Sequence, residues 1–286
     1  MASMRDIKRR KGSISSTQQI TKAMKLVSTV KLQRAKGKAE STKPYFDCMY
    51  DTIATMLSKS DNIDHPYLKS GESEKKAVIA ITSNRGLAGG YNNNVVKLIT
   101  GDEAFKKEEV EVYALGKKGR DAFAMRGYKV ADDLSEVMDG PLYADAKELS
   151  EKLLDRFGKG EIGEIYLAYT VFKNTVTHVP TLLKLLPVEV DKKEADNDGY
   201  DIPMNYAPNE EEALGMIIPK YITSLIYGAM MEAVASENGA RMQAMDSATS
   251  NAEEMIQKLS LDYNRARQGS ITQELTEIIA GAQAIS

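Results

Sequence analysis

The last 78 residues of the chain, 209–286, constrain its fold more than any other stretch. Pro219 is their only proline, and apolar or small side chains recur at steps of three and four residues, which is typical of an amphipathic α-helix. At about 1.5 Å of rise per residue this helix would be about 115 Å long, several times the diameter of a domain of this size. Such a helix cannot be buried within its own domain, so we expect its function to lie in what it reaches.

A second long helix is predicted from Arg5 to about Leu57. Because proline is poorly tolerated inside a helix, Pro44 predicts a kink or a short break near Thr42 and Lys43. The apolar stripe of this helix is thin, so the helix needs a partner helix of the same kind. The pattern consists of Ile20, Met24, Val27, Val30 or Lys31, Arg34, Phe46, Met49, Ile53, Met56 and Leu57.

The two helices adjoin the same central segment, one before it and one after it. If they pack together they must run antiparallel, because the chain leaves the central segment along one helix and reaches it along the other. Counted outwards from that segment, the C-terminal helix is longer by roughly 20 residues, or about 30 Å. We therefore expect the end of the chain, from near Arg265, to extend beyond its partner.

The predicted free end is apolar along one face. An exposed stripe of this size is an aggregation hazard, so we expect it to enter an apolar socket in another protein. Arg265 and Arg267 form a positive collar before the stripe, and Ser270 is a predicted N-cap that forms a capping box with Gln273 and restarts the helix after Gly269. The stripe consists of Ile271, Leu275, Ile278, Ile279 and Ala282.

Between the two helices the hydrophobic period changes. Short apolar runs typical of buried strands alternate with helical stretches, which predicts a mostly parallel sheet with an antiparallel hairpin at its edge. The fold class is therefore α/β plus a long antiparallel α-helical coiled coil, with a Rossmann-like central domain inserted between the N- and C-terminal helices. The predicted strands are 77–82, 110–115, 128–130, 164–172 and 176–188, and the predicted helices are 93–105, 117–126 and 143–157.

Three domains follow from these elements. We predict an N-terminal coiled-coil helix at 1–58, a globular α/β domain at 76–190 and a C-terminal coiled-coil helix at 209–286. The polar run Asp191–Asp201 is expected to close the globular domain.

The loop Ser83–Asn92 follows a predicted strand and opens a helix, the position of a nucleotide-binding loop in many α/β domains. It lacks the Lys-Ser/Thr pair of a P-loop and the spacing of a Gly-x-Gly-x-x-Gly turn. Glycines in such a turn more often supply left-handed backbone and close packing. A structural turn, a phosphate site in a nucleotide-dependent enzyme and a protein contact through Arg85 remain open.

Composition argues against several classes of protein. A lone cysteine, Cys48, excludes an internal disulfide, and His65 and His178 have no neighbouring ligands, so we expect no metal site and no cofactor. His178 lies in an apolar strand, where a hydrogen-bonded core histidine is expected. No nucleophile motif such as Gly-x-Ser-x-Gly is present. No 18-residue apolar run and no secretion signal are visible, so we expect no direct membrane insertion.

The charge is unevenly distributed along the chain. Residues 1–43 hold twelve Lys and Arg against two acids, whereas 209–286 hold five against eleven. A basic helix of this kind is most simply one half of a coiled coil with a solvated face, and nucleic-acid binding is the main rival interpretation. Because an acidic counterpart exists in the same chain, we expect no nucleic-acid partner.

Three segments resemble the γ subunit of F-type ATP synthases, and the likeness covers essentially the whole chain. Asp6–Arg10 with Thr17–Val27 is similar to the opening helix of that family, and Ala266–Gln268 with Ile271–Ala282 is similar to its C-terminal signature. The loop Ser83–Asn92 is similar to the family motif Ser-Asp-Arg-Gly-Leu-Cys-Gly-Gly. Its matching residues include Arg85, Gly86, Gly89 and Gly90.

The chain also departs from the family pattern. Asn84 and Ala88 stand where the family usually has an acid and a cysteine, which puts in doubt an ion pair at position 84. Lys11 and Gly12 interrupt the opening helix where an apolar residue is more common, which suggests loosened first turns. The cysteine-bearing insertion of chloroplast members and a transit peptide are absent, which suggests a bacterial enzyme.

The resemblance implies a rotor. In this family the coiled coil enters the ring of α and β subunits (α3β3), and the α/β domain contacts ε and the membrane c-ring. Proton or sodium flow turns the stalk, which makes no bond itself and drives the β sites through their states. The resemblance implies a peripheral protein on the cytoplasmic face of the bacterial membrane. It also implies that the β catch loop meets Arg267, Gln268, Thr272 and Glu274, with Met24 near them on the opposing helix.

Overall fold

The structure, a computed structural model, describes residues 4–59, 65–71, 73–188 and 210–285. The chain divides into two compact units. The larger is Thr29–Ala240, and the smaller combines Met1–Ser28 with Arg241–Ser286. Two long helices, α1 (Met4–Lys59) and α5 (Glu210–Ile285), contribute residues to both units.

A five-stranded sheet is the centre of the larger unit. Its strands are β1 (Lys76–Ile81), β2 (Val110–Leu115), β3 (Lys129–Asp133), β4 (Glu164–Phe172) and β5 (His178–Leu186). They lie in the order β3-β2-β1-β4-β5; the first four are parallel, and β5 pairs antiparallel with β4. The predicted α/β class and the antiparallel edge hairpin are confirmed.

The sheet carries a hydrophobic cluster on each face. The shorter helices are α2 (Tyr91–Thr100), α3 (Lys117–Met125) and α4 (Tyr143–Gly158). Val78 and Ala80 of β1 pack with α2 and α3, whereas Ile79 and Ile81 pack with α4 and with residues of α1 and α5. Because β1 is central and covered on both faces, its sequence is a continuous apolar run rather than an alternating one.

Several boundaries differ from the sequence prediction, and two of them have a clear local cause. The helix predicted to extend to 105 ends at Thr100, where the N–H of Gly101 closes the last turn on the carbonyl of Lys97. The last strand begins at His178 rather than at 176, because the N–H groups of Val176 and Thr177 donate to Asn174 Oδ1 in the hairpin turn. In both cases a local turn ends an element that the apolar pattern alone would continue.

The two long helices are continuous, which contradicts three predicted interruptions. Pro44 lies inside α1, so the alternative of a short break is wrong, and Gly12 does not interrupt the first turns of that helix. In α5 the helix passes through Gly269, so Ser270 is not an N-cap. A single glycine costs a helix only about 1 kcal/mol, which cooperative neighbouring turns can absorb.

In the smaller unit the two helices are antiparallel, as predicted. The Thr21 and Thr249 hydroxyls hydrogen-bond at 2.8 Å, and Lys25 Nζ lies 2.5 Å from Asp246 Oδ1. As the residue number rises on α1 it therefore falls on α5. Both polar contacts specify one register for the pair, although the exposed ion pair adds little stability.

The face that α1 turns to its partner in the smaller unit is not the predicted one. Ile20 and Val27 of the predicted stripe are 60% and 57% exposed, whereas Thr21 and Ser28 are buried. The inward positions follow a seven-residue repeat of small or β-branched side chains. These positions are Ile7, Ile14, Thr21 and Ser28. The hydroxyl of Thr21 is satisfied by Thr249, which is why a polar residue can take a buried position.

In the larger unit the stripe of α1 is confirmed at Ile53 and Met56, which are 0% and 2% exposed and belong to the cluster under the sheet. The predicted position at Val30 or Lys31 is wrong, because both side chains are exposed. The side chain of Phe46 lies outside the described residues. On α5 the predicted apolar positions Leu214 and Ile218 are both fully buried in the same cluster.

Part of α5 is apolar enough to cross a membrane by length and composition. Within Glu211–Gln283, an 18-residue window has a mean hydropathy of 1.3, which corrects the expectation that no such run exists. Half of that window (50%) is buried inside the protein. A helix in a protein core passes the same test, so the finding supports membrane insertion only weakly.

The three predicted domains remain a prediction. The bound at 190, the polar run Asp191–Asp201 and residue 209 lie outside the described residues.

Candidate functional site

The end of α5 exposes the apolar stripe that the sequence predicts. All residues from 271 to 283 are exposed, and Ile278 is 68% exposed. The register of the helix pair explains this, because it places Met4, where the described part of α1 begins, opposite Arg267. Among the described residues, α1 therefore has none that could cover the stripe. The exposed stripe consists of Ile271, Leu275, Ile278, Ile279 and Ala282.

Four polar residues of the predicted site lie together at the base of this stripe. They are Arg267, Gln268, Thr272 and Glu274, and all are exposed on α5. The nearby side-chain bonds stay within the helix: Gln273 Nε2 donates to Glu277 Oε1 at 2.9 Å. The arrangement offers one cation, one anion and an apolar face on a single helical segment.

Met24 is not near these four residues. The contact between Lys25 and Asp246 places Met24 opposite Ser247, which is 20 residues before Arg267. At about 1.5 Å per residue, the two levels are about 30 Å apart along the helix pair. The expectation that Met24 lies beside Arg267 is therefore wrong, because the antiparallel register places Met24 beside the middle of α5.

Sequence reasoning missed a second exposed apolar surface, on α1 of the smaller unit. Ile20, Leu26 and Val27 are each more than half exposed, and Met24 beside them is half-buried. Ile20, Met24 and Val27 belong to the stripe that was predicted to contact the partner helix, whereas Leu26 does not. The seven-residue repeat through Thr21 and Ser28 would have distinguished the inward face from this one.

The loop Ser83–Asn92 is held by its own hydrogen bonds. Ser83 is fully buried; its N–H donates to Asn92 Oδ1 at 2.8 Å, and its hydroxyl donates to the Arg85 carbonyl at 2.6 Å. Gly89 has a φ of +56°, the left-handed backbone predicted for this turn. Leu87 has a φ of +64° as well, with 62% of its surface exposed. The structural interpretation of the glycines thus agrees with the geometry.

The same loop occupies the N-terminus of α3. The N–H groups of Lys117, Lys118 and Gly119 donate to Asn84 Oδ1, to the Ser83 carbonyl and to Thr82 Oγ1, at 2.9–3.1 Å. A helix N-terminus binds phosphate through N–H groups that have no other acceptor. These three already have acceptors, which argues against a phosphate site at this helix.

Asn84 joins three segments of the domain. Its Nδ2 donates to the Ser135 carbonyl at 2.8 Å and to Asp139 Oδ1 at 3.2 Å, while its Oδ1 accepts from the N–H of Lys117. An amide satisfies all three contacts because it both donates and accepts. The acid usual in the family at this position could not donate to the Asp139 carboxylate.

We therefore expect Asn84→Asp to destabilise the larger unit by about 1 to 2 kcal/mol at neutral pH, because a buried carbonyl loses its donor and two carboxylates face each other. Urea denaturation of the purified chain measures the change. Adding Asp139→Asn should recover part of the loss, since the new amide can donate. Equal stability of Asn84→Asp and the unsubstituted chain would contradict this account.

The two histidines are placed differently from one another. His65 Nδ1 accepts from the N–H of Tyr67 at 3.2 Å. His178 Nε2 is buried without a hydrogen-bond partner in the described part of the chain, so the expectation of a hydrogen-bonded histidine is wrong at this atom. Burial lowers the pKa of both side chains. Within the described residues, no group of three His, Cys, Asp or Glu side chains could hold a metal ion.

Comparison with known proteins gives a consistent result over the full length. A family profile described as ATP synthase matches residues 3–285. The ATP synthase gamma chain of Lachnoclostridium phytofermentans is 66% identical over 293 residues, covering 100% of both chains. The gamma chain of Acetobacterium woodii, described as sodium ion specific, is 40% identical and covers 99% of each chain.

A solved structure shows the same fold. A chain in the mitochondrial ATP synthase of Euglena gracilis, in a complex of OSCP, F1 and the c-ring, superposes with a TM-score of 0.68. The superposition covers 99% of this chain and 94% of that chain, at 18% sequence identity. At this identity the likeness concerns the fold alone.

Proposed function

Because the chain belongs to the family of ATP synthase gamma chains, we propose that it is the central-stalk rotor of an F1Fo ATP synthase. It couples proton or sodium flow through the membrane c-ring to ATP synthesis or hydrolysis at the β sites by rotating inside the α3β3 ring. The observation that carries the proposal is identity to gamma chains over the whole length, 66% in one relative. The exposed apolar end of α5 supports it, because a rotor needs a surface that a surrounding ring can hold.

The rotor acts on the β sites without taking part in their chemistry. It is a non-catalytic subunit, and at each angle it contacts one β subunit differently from the other two. A ligand shifts a conformational equilibrium only by its differential affinity for the two states, and a shaft with unlike faces provides such a difference. The exposed faces of the smaller unit are unlike, since α1 presents Ile20 and Val27 while α5 presents acids such as Glu253 and Glu254.

The partners follow from this role. We propose that the α and β subunits surround the paired helices, and that ε and the c-ring contact the α/β domain. The protein would then be peripheral on the cytoplasmic face of the bacterial membrane. Segments 1–58 and 209–286 would form the two paired helices of the shaft. Segment 76–190 would form the globular domain between them, the foot of the rotor. The motif residues Arg85, Gly86, Gly89 and Gly90 would shape a loop on that foot.

The end of α5 would divide into two parts with different roles. Ile271, Leu275, Ile278, Ile279 and Ala282 would form the apolar bearing held by the ring. Arg267, Gln268, Thr272 and Glu274 would meet the catch loop of β and carry the coupling. Met24, about 30 Å away, would contact the ring at a separate level.

Co-purification tests the function as a whole. Affinity capture of the tagged chain from its native cells should bring down α and β subunits in complexes that hydrolyse ATP. The rival interpretation predicts a monomer that binds DNA tightly through its basic helix and carries no such subunits. That result would contradict the proposal.

We expect Arg267→Ala to weaken coupling without unfolding the shaft, because Arg267 is exposed on the collar and its loss removes a charge rather than a core contact. In the assembled complex, ATP synthesis and ATP-driven ion pumping should fall about tenfold, as the loss of a charge-assisted contact of about 1.4 kcal/mol would produce. Lys147→Ala, an exposed cation on α4, is the matched control and should leave both rates unchanged. Unchanged synthesis and pumping in the Arg267→Ala complex would refute the assigned role.

A further inference from the structure

We propose that Tyr91, Ser236 and His178 form a clasp that locks α5 against rotation about its own axis relative to the sheet, and so carries torque. The inference rests on the proposed rotor function and assigns a task to contacts within the larger unit. The clasp consists of residues 233–239 of α5 and the three groups that contact them: the Tyr91 hydroxyl, the Thr170 carbonyl and the His178 imidazole.

Three elements meet this short stretch of α5. The Tyr91 hydroxyl, at the start of α2, donates to the carbonyl of Ala233 at 3.2 Å. The Ser236 hydroxyl donates to the carbonyl of Thr170 on β4 at 3.0 Å. His178, at the start of β5, packs so closely on Gly239 that a Cβ there would lie 2.5 Å from its Nε2.

The spacing of the contacts suits resistance to rotation. Ala233, Ser236 and Gly239 follow one another at three-residue steps, so they spread over about 120° of the helix circumference. A turn of the helix in either direction therefore strains at least one of them. Apart from the buried hydrogen bond between Thr223 and Ser150 of α4, the contacts of α5 with the cluster under the sheet are mainly apolar. Apolar contacts are non-directional, whereas hydrogen bonds weaken steeply as they bend.

The two hydrogen bonds are shielded from water. Tyr91 is 4% exposed, and Ala233 and Ser236 are fully buried. If α5 turned, the hydroxyl and the carbonyl of each pair would be left without partners in a dry site, where water cannot replace the lost bond. This penalty makes the clasp stiff under load.

The contact of His178 with Gly239 explains why α5 has a glycine at this position. A glycine inside a helix is unfavourable relative to alanine, so its presence at 239 is accounted for by the close approach of the imidazole. The ring of Phe172 packs beside His178, with centroids 5.9 Å apart. The histidine acts as a steric wedge rather than as a hydrogen-bonding group.

The functional consequence is specific. In a rotor, ATP hydrolysis turns the paired helices, and the turn must reach the part that bears on the c-ring. If the clasp slips, hydrolysis continues while ion pumping fails. A contact that merely stabilised the fold would instead lower both activities together.

The test uses the whole ATP synthase in inverted membrane vesicles, with ATP hydrolysis and ion uptake measured side by side. Uptake is followed both with a pH-sensitive dye and with radioactive sodium. The Tyr91→Phe and Ser236→Ala double variant should pump at least about twofold fewer ions per ATP, with hydrolysis unchanged. Ser236→Thr, which keeps a hydroxyl, should retain the normal ratio. Ser260→Ala is the matched control, because its hydroxyl bonds only within α5, to the Ile256 carbonyl.

A second variant tests the wedge without removing a hydrogen bond. Gly239→Ala should displace His178 and also lower the number of ions pumped per ATP, whereas Gly37→Ala on α1, which meets nothing within 4 Å, should not. An unchanged number of ions pumped per ATP in both clasp variants would overturn the proposal. So would an equal fall of ATP hydrolysis and ion uptake, accompanied by loss of the subunit from the complex. If the unsubstituted complex hydrolyses ATP but moves neither ion, the rotor function itself fails, and the clasp falls with it.

Discussion

Gly116→Ala is expected to destabilise the larger unit by about 3 to 5 kcal/mol, a large share of the total stability of a typical domain. Gly116 joins β2 to α3 with a φ of +117°, a conformation that side chains rarely adopt. A Cβ at this position would lie 2.3 Å from the Thr82 carbonyl oxygen, and this backbone is itself fixed by the bond of the Thr82 N–H to the Leu115 carbonyl. Neither side of the clash can move without breaking the hydrogen bond that joins the ends of β1 and β2.

The matched control is Gly127→Ala. Gly127 also has a positive φ, +82°, but a Cβ there meets nothing within 4 Å. The free energy of unfolding of Gly127→Ala should therefore fall only by the strain of the positive φ, about 1 to 2 kcal/mol. Urea denaturation followed by the near-ultraviolet dichroism of the tyrosines measures both. Equal decreases in the free energy of unfolding of Gly116→Ala and Gly127→Ala would contradict the role assigned to the clash with Thr82.

Arg156→Leu should lower the free energy of unfolding by about 2 to 3 kcal/mol at pH 7, because it removes one of the two cations that pair with a buried carboxylate. The side chain of Glu111 is only 6% exposed, and its Oε2 accepts from Arg156 Nη1 at 2.8 Å. The remaining partner, Lys129, is 66% exposed and holds Oε1 at 2.6 Å. Arg156 also bonds Glu161 and the Tyr113 hydroxyl, so the substitution opens a network rather than one pair.

The loss should depend on pH in a defined direction. Burial raises the pKa of Glu111, but hydrogen bonds and charges from Lys129 and Arg156 outweigh it, so the pKa is held below its ordinary value. In the unsubstituted chain this carboxylate contributes stability above its unfolded pKa and loses it as the pH falls. Without Arg156, one of the two cations that lower the pKa of Glu111 is lost, so this carboxylate protonates more readily. The difference in free energy of unfolding between Arg156→Leu and the unsubstituted chain should therefore become smaller from pH 7 towards about pH 4.

Lys159→Leu is the control for removing a cation near the end of α4. Lys159 pairs with Asp155 at 2.5 Å, and both side chains are more than half exposed, so the substitution should leave the stability unchanged. Adding Glu111→Gln to Arg156→Leu should recover part of the loss, because no charge is then buried. A loss for Arg156→Leu that is the same at pH 7 and pH 4 would contradict the electrostatic explanation.

Much of the fold could be predicted because it depends on local patterns. The apolar runs of β1 and β2, the two long helices and the antiparallel hairpin of β4 and β5 all appear where the hydrophobic period places them. The exposed end of α5 was also predictable, because the excess length of one helix over the other follows from counting residues.

The errors have a common cause. Glycine and proline predicted interruptions at Gly12, Pro44 and Gly269, yet both helices continue, because a cooperative helix absorbs the cost of one unfavourable residue. The contact face of α1 was wrong because apolarity was taken as the sign of burial. In the smaller unit a buried threonine and a buried serine are used instead, with one hydroxyl satisfied across the pair.

The sequence by itself determined the element types, the α/β class, the uncovered apolar end of α5 and the family resemblance, since each follows from periodicity, length or a contiguous motif. Tertiary structure alone decided the register that separates Met24 from Arg267, the network of Glu111 with Arg156, and the approach of His178 to Gly239. Those contacts join residues 45 or more positions apart. They depend on which surfaces fit together and on which polar groups find partners, and a hydrophobic pattern along the sequence specifies neither the fit nor the pairing.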